Sequence, residues 1–116
     1  MKIKNFTRIM SDPVEIKRAL NYGPVVAAVS AFSDEFKNYK SGVIENCGLP
    51  SKQNHAVLIV GYNSEMINSV AVDYFIIKNS FGTHWGDRGF GKISASTKNV
   101  CGILSDVYMP EYTQSS

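Results

Sequence analysis

The chain is short of most things that would place it at once in a functional class. Its longest unbroken apolar run, Ala56 to Val60, is far below the roughly 20 residues of a membrane-spanning helix, so no membrane span is expected. No apolar segment follows the charged start Met1-Lys2-Ile3-Lys4-Asn5, so no secretory leader or other targeting signal is visible. The excess of cationic over anionic side chains is only +2 and the lysines and arginines are scattered, which argues against a nucleic-acid footprint. Cysteine is scarce. Cys47 and Cys101 are the only two, they do not form a Cys-x-x-Cys pair, and a zinc or thiol-redox site is therefore unsupported. Two cysteines allow either one disulfide or two buried thiols in a reducing cytosol; a bridge between residues this far apart would be worth about 4 kcal/mol. No repeat or low-complexity stretch is present apart from a polar tail, residues 113–116, which is expected to fray.

What is present is an ordinary globular composition. With 116 residues and a hydrophobic share of 44%, the chain can build one real core but not two, so residues 1–112 read as a single domain. Ser11-Asp12-Pro13-Val14-Glu15 is a helix start: Asp12 can cap, Pro13 suits the first helical position, and Glu15 stands three residues after the cap. Ile16, Ala19 and Leu20 follow as a buried stripe. Gly23-Pro24 then launches a strand over 25–31, and Ser33-Asp34-Glu35 caps a short helix that carries Phe36 and Tyr39 on one face.

After the turn Lys40-Ser41-Gly42, strand signals dominate. Residues 56–62 and 74–79 are apolar runs of the kind buried on both faces, and the polar stretch 63–69 between them reads as a hairpin loop. Further strands are expected over 89–95 and 103–109, with a glycine-rich excursion, residues 82–89, ahead of the first. Helix first and strands after it predict an α+β domain built on an antiparallel, barrel-like sheet with one N-terminal helix and short helices.

The two apolar runs carry the chemistry. Asn54-His55-Ala56-Val57-Leu58-Ile59-Val60-Gly61-Tyr62 sets a histidine at the head of one strand; Tyr74-Phe75-Ile76-Ile77-Lys78-Asn79-Ser80-Phe81-Gly82 sets an asparagine at the end of another. A Cys-His-Asn hydrolase needs those two groups on its base side, an imidazole and an amide that orients it. Taken singly, a histidine before an apolar run is most often a structural residue. His84, in a polar glycine-rich loop, reads as merely exposed, and Trp85 and Phe90 as core aromatics that anchor that loop. Asn5-Phe6-Thr7 is a glycosylation sequon, which has meaning only on a secretory route.

Six blocks in order resemble the C-terminal, mainly β domain (the right-hand domain) of papain-family, cathepsin-like cysteine proteases, over nearly the whole chain. They are Gly23-Pro24-Val25-Val26-Ala27-Ala28, Tyr39-Lys40-Ser41-Gly42-Val43, Asn54-His55-Ala56-Val57, Tyr74-Phe75-Ile76-Ile77-Lys78-Asn79-Ser80, the run from Gly82 through Trp85 to Phe90, and Cys101-Gly102-Ile103. The resemblance implies that His55 is the general base and Asn79 its orienting partner. It implies that Ala28, Ala56 and, at a neighbouring position, Gln53 line the pocket for the second residue before the cleaved bond, the small alanines leaving room for a bulky apolar side chain. It implies that Phe81, where the family usually has tryptophan, and Trp85, the family's second tryptophan, are substrate-binding aromatics of the site, and it pairs Cys47 with Cys101 in a disulfide. Gly91 stands where the family prefers a bulkier residue, which predicts a β-bulge. By resemblance the compartment is lysosomal or extracellular, the substrate is a peptide or protein, and neither metal nor cofactor is expected.

The same resemblance exposes a gap. In the family the nucleophilic cysteine begins a helix of an N-terminal, mainly helical domain, which also gives a glutamine to the oxyanion site. Neither Cys47 nor Cys101 lies in the family's Gly-Ser-Cys-Trp type of context. The chain is thus expected to hold one wall of a cleft and to be inactive alone. Three readings follow: the base-carrying half of a peptidase whose thiol lies on another chain or segment; a catalytically silent domain serving as a structural or binding subunit, toward which Met1 and Phe81 lean; and an inhibitor or peptide-binding module.

Overall fold

The computed structural model describes residues 6–31, 33–47, 53–80, 82–96 and 99–110. Its elements are β1 (Phe6–Ile9), α1 (Pro13–Ala19), β2 (Val25–Val29), α2 (Asp34–Lys37), β3 (Val43–Ile44), β4 (His55–Ile67), β5 (Val70–Lys78), β6 (Phe90–Ser94), a 3₁₀ turn Val100–Gly102 and β7 (Val107–Pro110). The strands form one seven-stranded sheet in the order β1-β7-β2-β4-β5-β6-β3. All neighbours are antiparallel except β3 with β6, and that parallel pair departs from a wholly antiparallel expectation.

Local chemistry explains the helices. Asp12 Oδ1 accepts a hydrogen bond from Val14 N at 2.9 Å and Pro13 takes the first position of α1. Ile16 and Ala19 bury the helix against the sheet. Ser33 Oγ caps α2 by accepting from Phe36 N, and Phe36 is fully buried. In β2, Val25, Ala27 and Val29 alternate into the core and meet Val57 and Ile59 of β4, Phe75 and Ile77 of β5, and Ile93 of β6.

Several sequence expectations are corrected. The strand expected over 25–31 ends at Val29, because Ser30 N donates to Cys101 O and Ala31 N to the Asn54 side chain instead of to a neighbouring strand. The stretch 63–69 is not a loop: β4 runs to Ile67, β5 starts at Val70, and the turn is only Asn68-Ser69, at φ 51° and 65°. Two positive-φ residues give the twist that a two-residue hairpin needs, and polar side chains on exposed strands need no burial. Nor is β4 buried on both faces: Val57 and Ile59 are inside, but Leu58 and Val60 are 39% and 37% exposed. The final strand begins at Val107, since the 3₁₀ turn and the hydrogen bond from Ser105 N to Gly102 O fold residues 100–105 back on themselves.

The bulge lies in β4, between Ile59 and Gly61, and not at Gly91, which pairs regularly with Ile77. Gly91 is small for another reason. A Cβ there would stand 2.6 Å from Trp85 Cη2 and 2.9 Å from Tyr39 Cε2. Gly91→Ala is therefore expected to cost about 1–3 kcal/mol through overpacking. The urea midpoint followed by the fluorescence of Trp85, the chain's one tryptophan, measures it; an unchanged midpoint and spectrum would contradict the packing argument.

Cys47 and Cys101 are bonded, with their Cα atoms 4.9 Å apart. The bridge fixes the 3₁₀ turn beside the end of β2, where Cys101 O accepts from Ser30 N at 2.7 Å. The sequon at Asn5 and the polar tail at 113–116 lie outside the described residues. Among the described residues no helix is long and apolar enough to cross a membrane, and no group of His, Cys, Asp and Glu side chains could hold a metal ion.

Candidate active site

His55 opens β4 and Asn79 follows the last residue of β5, so sheet pairing brings both to one end of the sheet. The backbone holds each side chain. Asn54 N donates to Val29 O at 3.1 Å, while Asn54 Oδ1 accepts from Ala31 N at 2.8 Å, which pins the residue before His55 to the end of β2. Asn79 N donates to Gly89 O at 2.8 Å, which ties the end of β5 to the glycine-rich loop. His55 Nε2 and Asn79 Oδ1 stand 2.6 Å apart. An amide oxygen only accepts, so Nε2 is the nitrogen that carries the hydrogen and Nδ1 is the one that can exchange a proton with a reactant. His55 is half-buried and Asn79 is 4% exposed, so the bond is sheltered while the ring keeps access to solvent.

An aromatic ladder supports the imidazole. The Phe36 ring meets His55 edge-on at 6.1 Å between centroids, Trp85 lies 5.3 Å from Phe36, and Tyr39 lies 4.9 Å from Trp85. Polar atoms lock it in place. Trp85 Nε1 donates to Phe36 O at 2.6 Å, and the Tyr39 hydroxyl donates to Gly42 O while accepting from Lys92 N. Burial raises the Tyr39 pKa, with the backbone hydrogen bond from Lys92 opposing, so the phenol stays protonated and keeps donating. The loop needs Gly86 at φ 59°, where a Cβ would fall 2.3 Å from Phe90 O.

The remaining predicted site residues separate into groups. Ala28 and Ala56 are cross-strand partners, Ala28 half-buried and Ala56 exposed, one pair along from Val29 and His55. Gln53 stands next to them, but its Nε2 is spent on two backbone carbonyls, Ala28 O at 3.3 Å and Gly102 O at 2.8 Å. Trp85 is 4% exposed and stands behind Phe36, at one remove from the open surface. Phe81 lies outside the described residues. His84 is exposed in its loop.

Sequence reasoning gave Phe36 only a packing role and passed over Val26, Leu58 and Ser80, which with Ala56, Lys78 and Asn79 line a cavity of 290 Å³. The usable signal was the period of two: Ala56 and Leu58 must share a face of β4.

The family model described as papain family cysteine protease matches residues 1–111. Cathepsin J of Rattus norvegicus is 43% identical over 77% of this chain, and cathepsin R of Mus musculus is 36% identical over 86% of it. The chain spans 27% and 30% of the length of those two relatives. Among solved structures, the bromelain protease from Ananas comosus in complex with the E64 inhibitor superposes with a TM-score of 0.79 at 32% identity, covering 93% of this chain and 50% of that one. Digestive procathepsin L 3 of Tenebrio molitor larval midgut gives a TM-score of 0.83 at 30% identity, covering 97% of this chain and 36% of that one.

Proposed function

This chain belongs to the papain family of cysteine proteases, and from that premise we propose that it is the His/Asn-carrying half of a cysteine endopeptidase whose nucleophilic thiol lies on another chain or segment. The observation that carries the reading is the 2.6 Å contact of His55 Nε2 with Asn79 Oδ1, which leaves Nδ1 as the nitrogen for proton transfer. His55 Nδ1 takes the thiol proton and forms a thiolate–imidazolium pair, with Asn79 holding the Nε2 hydrogen. The thiolate attacks the peptide carbonyl carbon; the C–N bond breaks as the imidazolium gives its proton to the departing amine. His55 then takes a proton from water, whose oxygen attacks the thioester and frees the thiol. The oxyanion donors belong to the missing half.

Ala28 and Ala56 give this half a shallow floor for a bulky apolar residue two before the cut, with Gln53 beside them. Phe36, with Trp85 behind it, excludes water from one side of the His–Asn bond, and Phe81 stands at the position of the family's shielding ring. The buried disulfide fits an oxidising compartment, lysosomal or extracellular. Asn79→Ala in the assembled peptidase is expected to lower kcat by about a hundredfold through a disoriented imidazole, with KM nearly unchanged. Steady-state kinetics on a fluorogenic peptide measure this; an unchanged kcat would remove Asn79 from the mechanism.

A further inference from the structure

Arg8, Lys17, Arg18 and Lys92 each pair with a carboxylate. Lys37 and Lys40 do not. Among the described residues Lys37 has no ion-pair partner, and Lys40 Nζ reaches only a backbone oxygen, His84 O at 3.4 Å. Both lysines line one cavity of 230 Å³, together with Asn38, Tyr39, His84 and Trp85. The cavity thus gathers two ammonium groups, an imidazole and an amide between the end of α2 and the glycine-rich loop, and no carboxylate is among its described lining residues. Its walls are fixed to each other. Gly86 N donates to Tyr39 O at 2.9 Å, and Trp85 Nε1 to Phe36 O at 2.6 Å. The Tyr39 and Trp85 rings, both buried and 4.9 Å apart, form the floor. The pocket therefore exists before anything binds, and filling it orders little of the protein. A lysine in the last turn of a helix also serves the helix by facing its free carbonyls. That accounts for Lys37, but Lys40 and His84 lie outside α2.

We infer that this pocket binds the oxyanion of a single acidic side chain of a peptide, a phosphate ester in preference to a carboxylate. Cations of one sign gathered on low-dielectric walls focus a positive potential, and a phosphate ester carries nearly twice the charge of a carboxylate to meet it. The ammonium and amide groups supply the hydrogen-bond donors that its oxygens accept. A pocket of 230 Å³ admits one side chain and not a polymer. Asp34, Glu35 and Asp87, exposed in the segments that form the two walls, would repel an extended polyanion such as a sulfated glycan. The site stands apart from the proposed peptidase chemistry and requires no thiol.

The test titrates the purified chain with the N-acetyl amides of phosphoserine, glutamate and glutamine, and with a sulfated heparin disaccharide. ¹H–¹⁵N spectra follow the Trp85 indole and the backbone amides of Tyr39, Lys40 and His84. The phosphoserine probe is expected to shift these signals at roughly tenfold lower concentration than the glutamate probe, and the glutamine probe to leave them in place. Lys37→Gln and Lys40→Gln should each raise the phosphoserine midpoint about fivefold. Lys78→Gln removes the same charge from another surface and should leave the midpoint unchanged. Because Lys37 also serves α2, the Lys40 variant decides the matter if the Lys37 variant fails to fold. A glutamine response equal to that of phosphoserine, shifts confined to other surfaces, or a Lys78 effect as large as that of Lys40 would overturn the inference. So would tighter binding of the disaccharide than of phosphoserine, since the site would then belong to a glycan. No turnover is read, so the outcome leaves the proposed function to its own test.

Discussion

Exchanging His55 for alanine in the proposed peptidase is expected to lower kcat by on the order of 10⁶-fold, because a nucleophile and its base fail together, whereas loss of the orienting group costs less. The physical reason is specific to this ring. It is the one imidazole within reach of Asn79, at 2.6 Å, among the described residues, and the chain's other histidine, His84, is exposed in the loop beside Trp85. Without His55 the thiol stays protonated and the departing amine has no acid. The change also leaves the buried Asn79 Oδ1 without its partner, at about 1–3 kcal/mol of stability, so folding must be measured beside activity. Burst and steady-state kinetics on a fluorogenic peptide, with native urea unfolding as the control, separate the two effects. Retention of kcat within tenfold would show that another group serves as the base.

The second large effect concerns stability. Replacing Cys47 and Cys101 with serine is expected to cost about 4 kcal/mol, because the bridge closes a loop between residues 54 apart in sequence. For a domain of this size that lowers Tm on the order of 15 °C. The loss should also reach the candidate site. Cys101 O anchors Ser30 N, and Gly102 O anchors the Gln53 side chain that also braces Ala28 O. Freeing the 3₁₀ turn therefore loosens the floor beside His55. Calorimetry of the double variant measures the first effect, and amide exchange at Ala28 and Ser30 the second. A cost below about 1 kcal/mol would mean that the turn holds without its bridge.

The site was more legible in the sequence than the sheet that presents it. His55 and Asn79 could be read because each stands at the end of an apolar run next to matching blocks, and chain order alone suggests that such ends meet. The cap of α1 could be read because Asp12 and Pro13 act within one turn. What stayed hidden depends on pairing. Asn63, Ser64 and Glu65 read as a loop because polarity was taken for irregularity, yet they lie opposite Tyr74, Asp73 and Val72 on exposed strands. Gly91 read as a bulge because a missing side chain suggests a bent backbone, when the space is filled by the rings of Trp85 and Tyr39. The parallel partnership of β3 with β6 rests on two residues, Val43 and Ile44, too few to leave a pattern. The cavity beside Asn79 draws on Val26, Leu58 and Lys78 from three strands, and only the register places them together.

The central claim is that this chain supplies the base and the orienting amide while the thiol comes from elsewhere. It is tested most directly by incubating the purified chain, alone and with the proposed helical, cysteine-bearing half, with a fluorogenic peptide in the presence and absence of a thiol-directed inactivator. The account predicts no cleavage by the chain alone, and inactivator-sensitive cleavage once the partner is present, strongest for peptides with a bulky apolar residue two before the cut. Inactivator-sensitive cleavage by the lone chain, or silence with the partner bound, would contradict it.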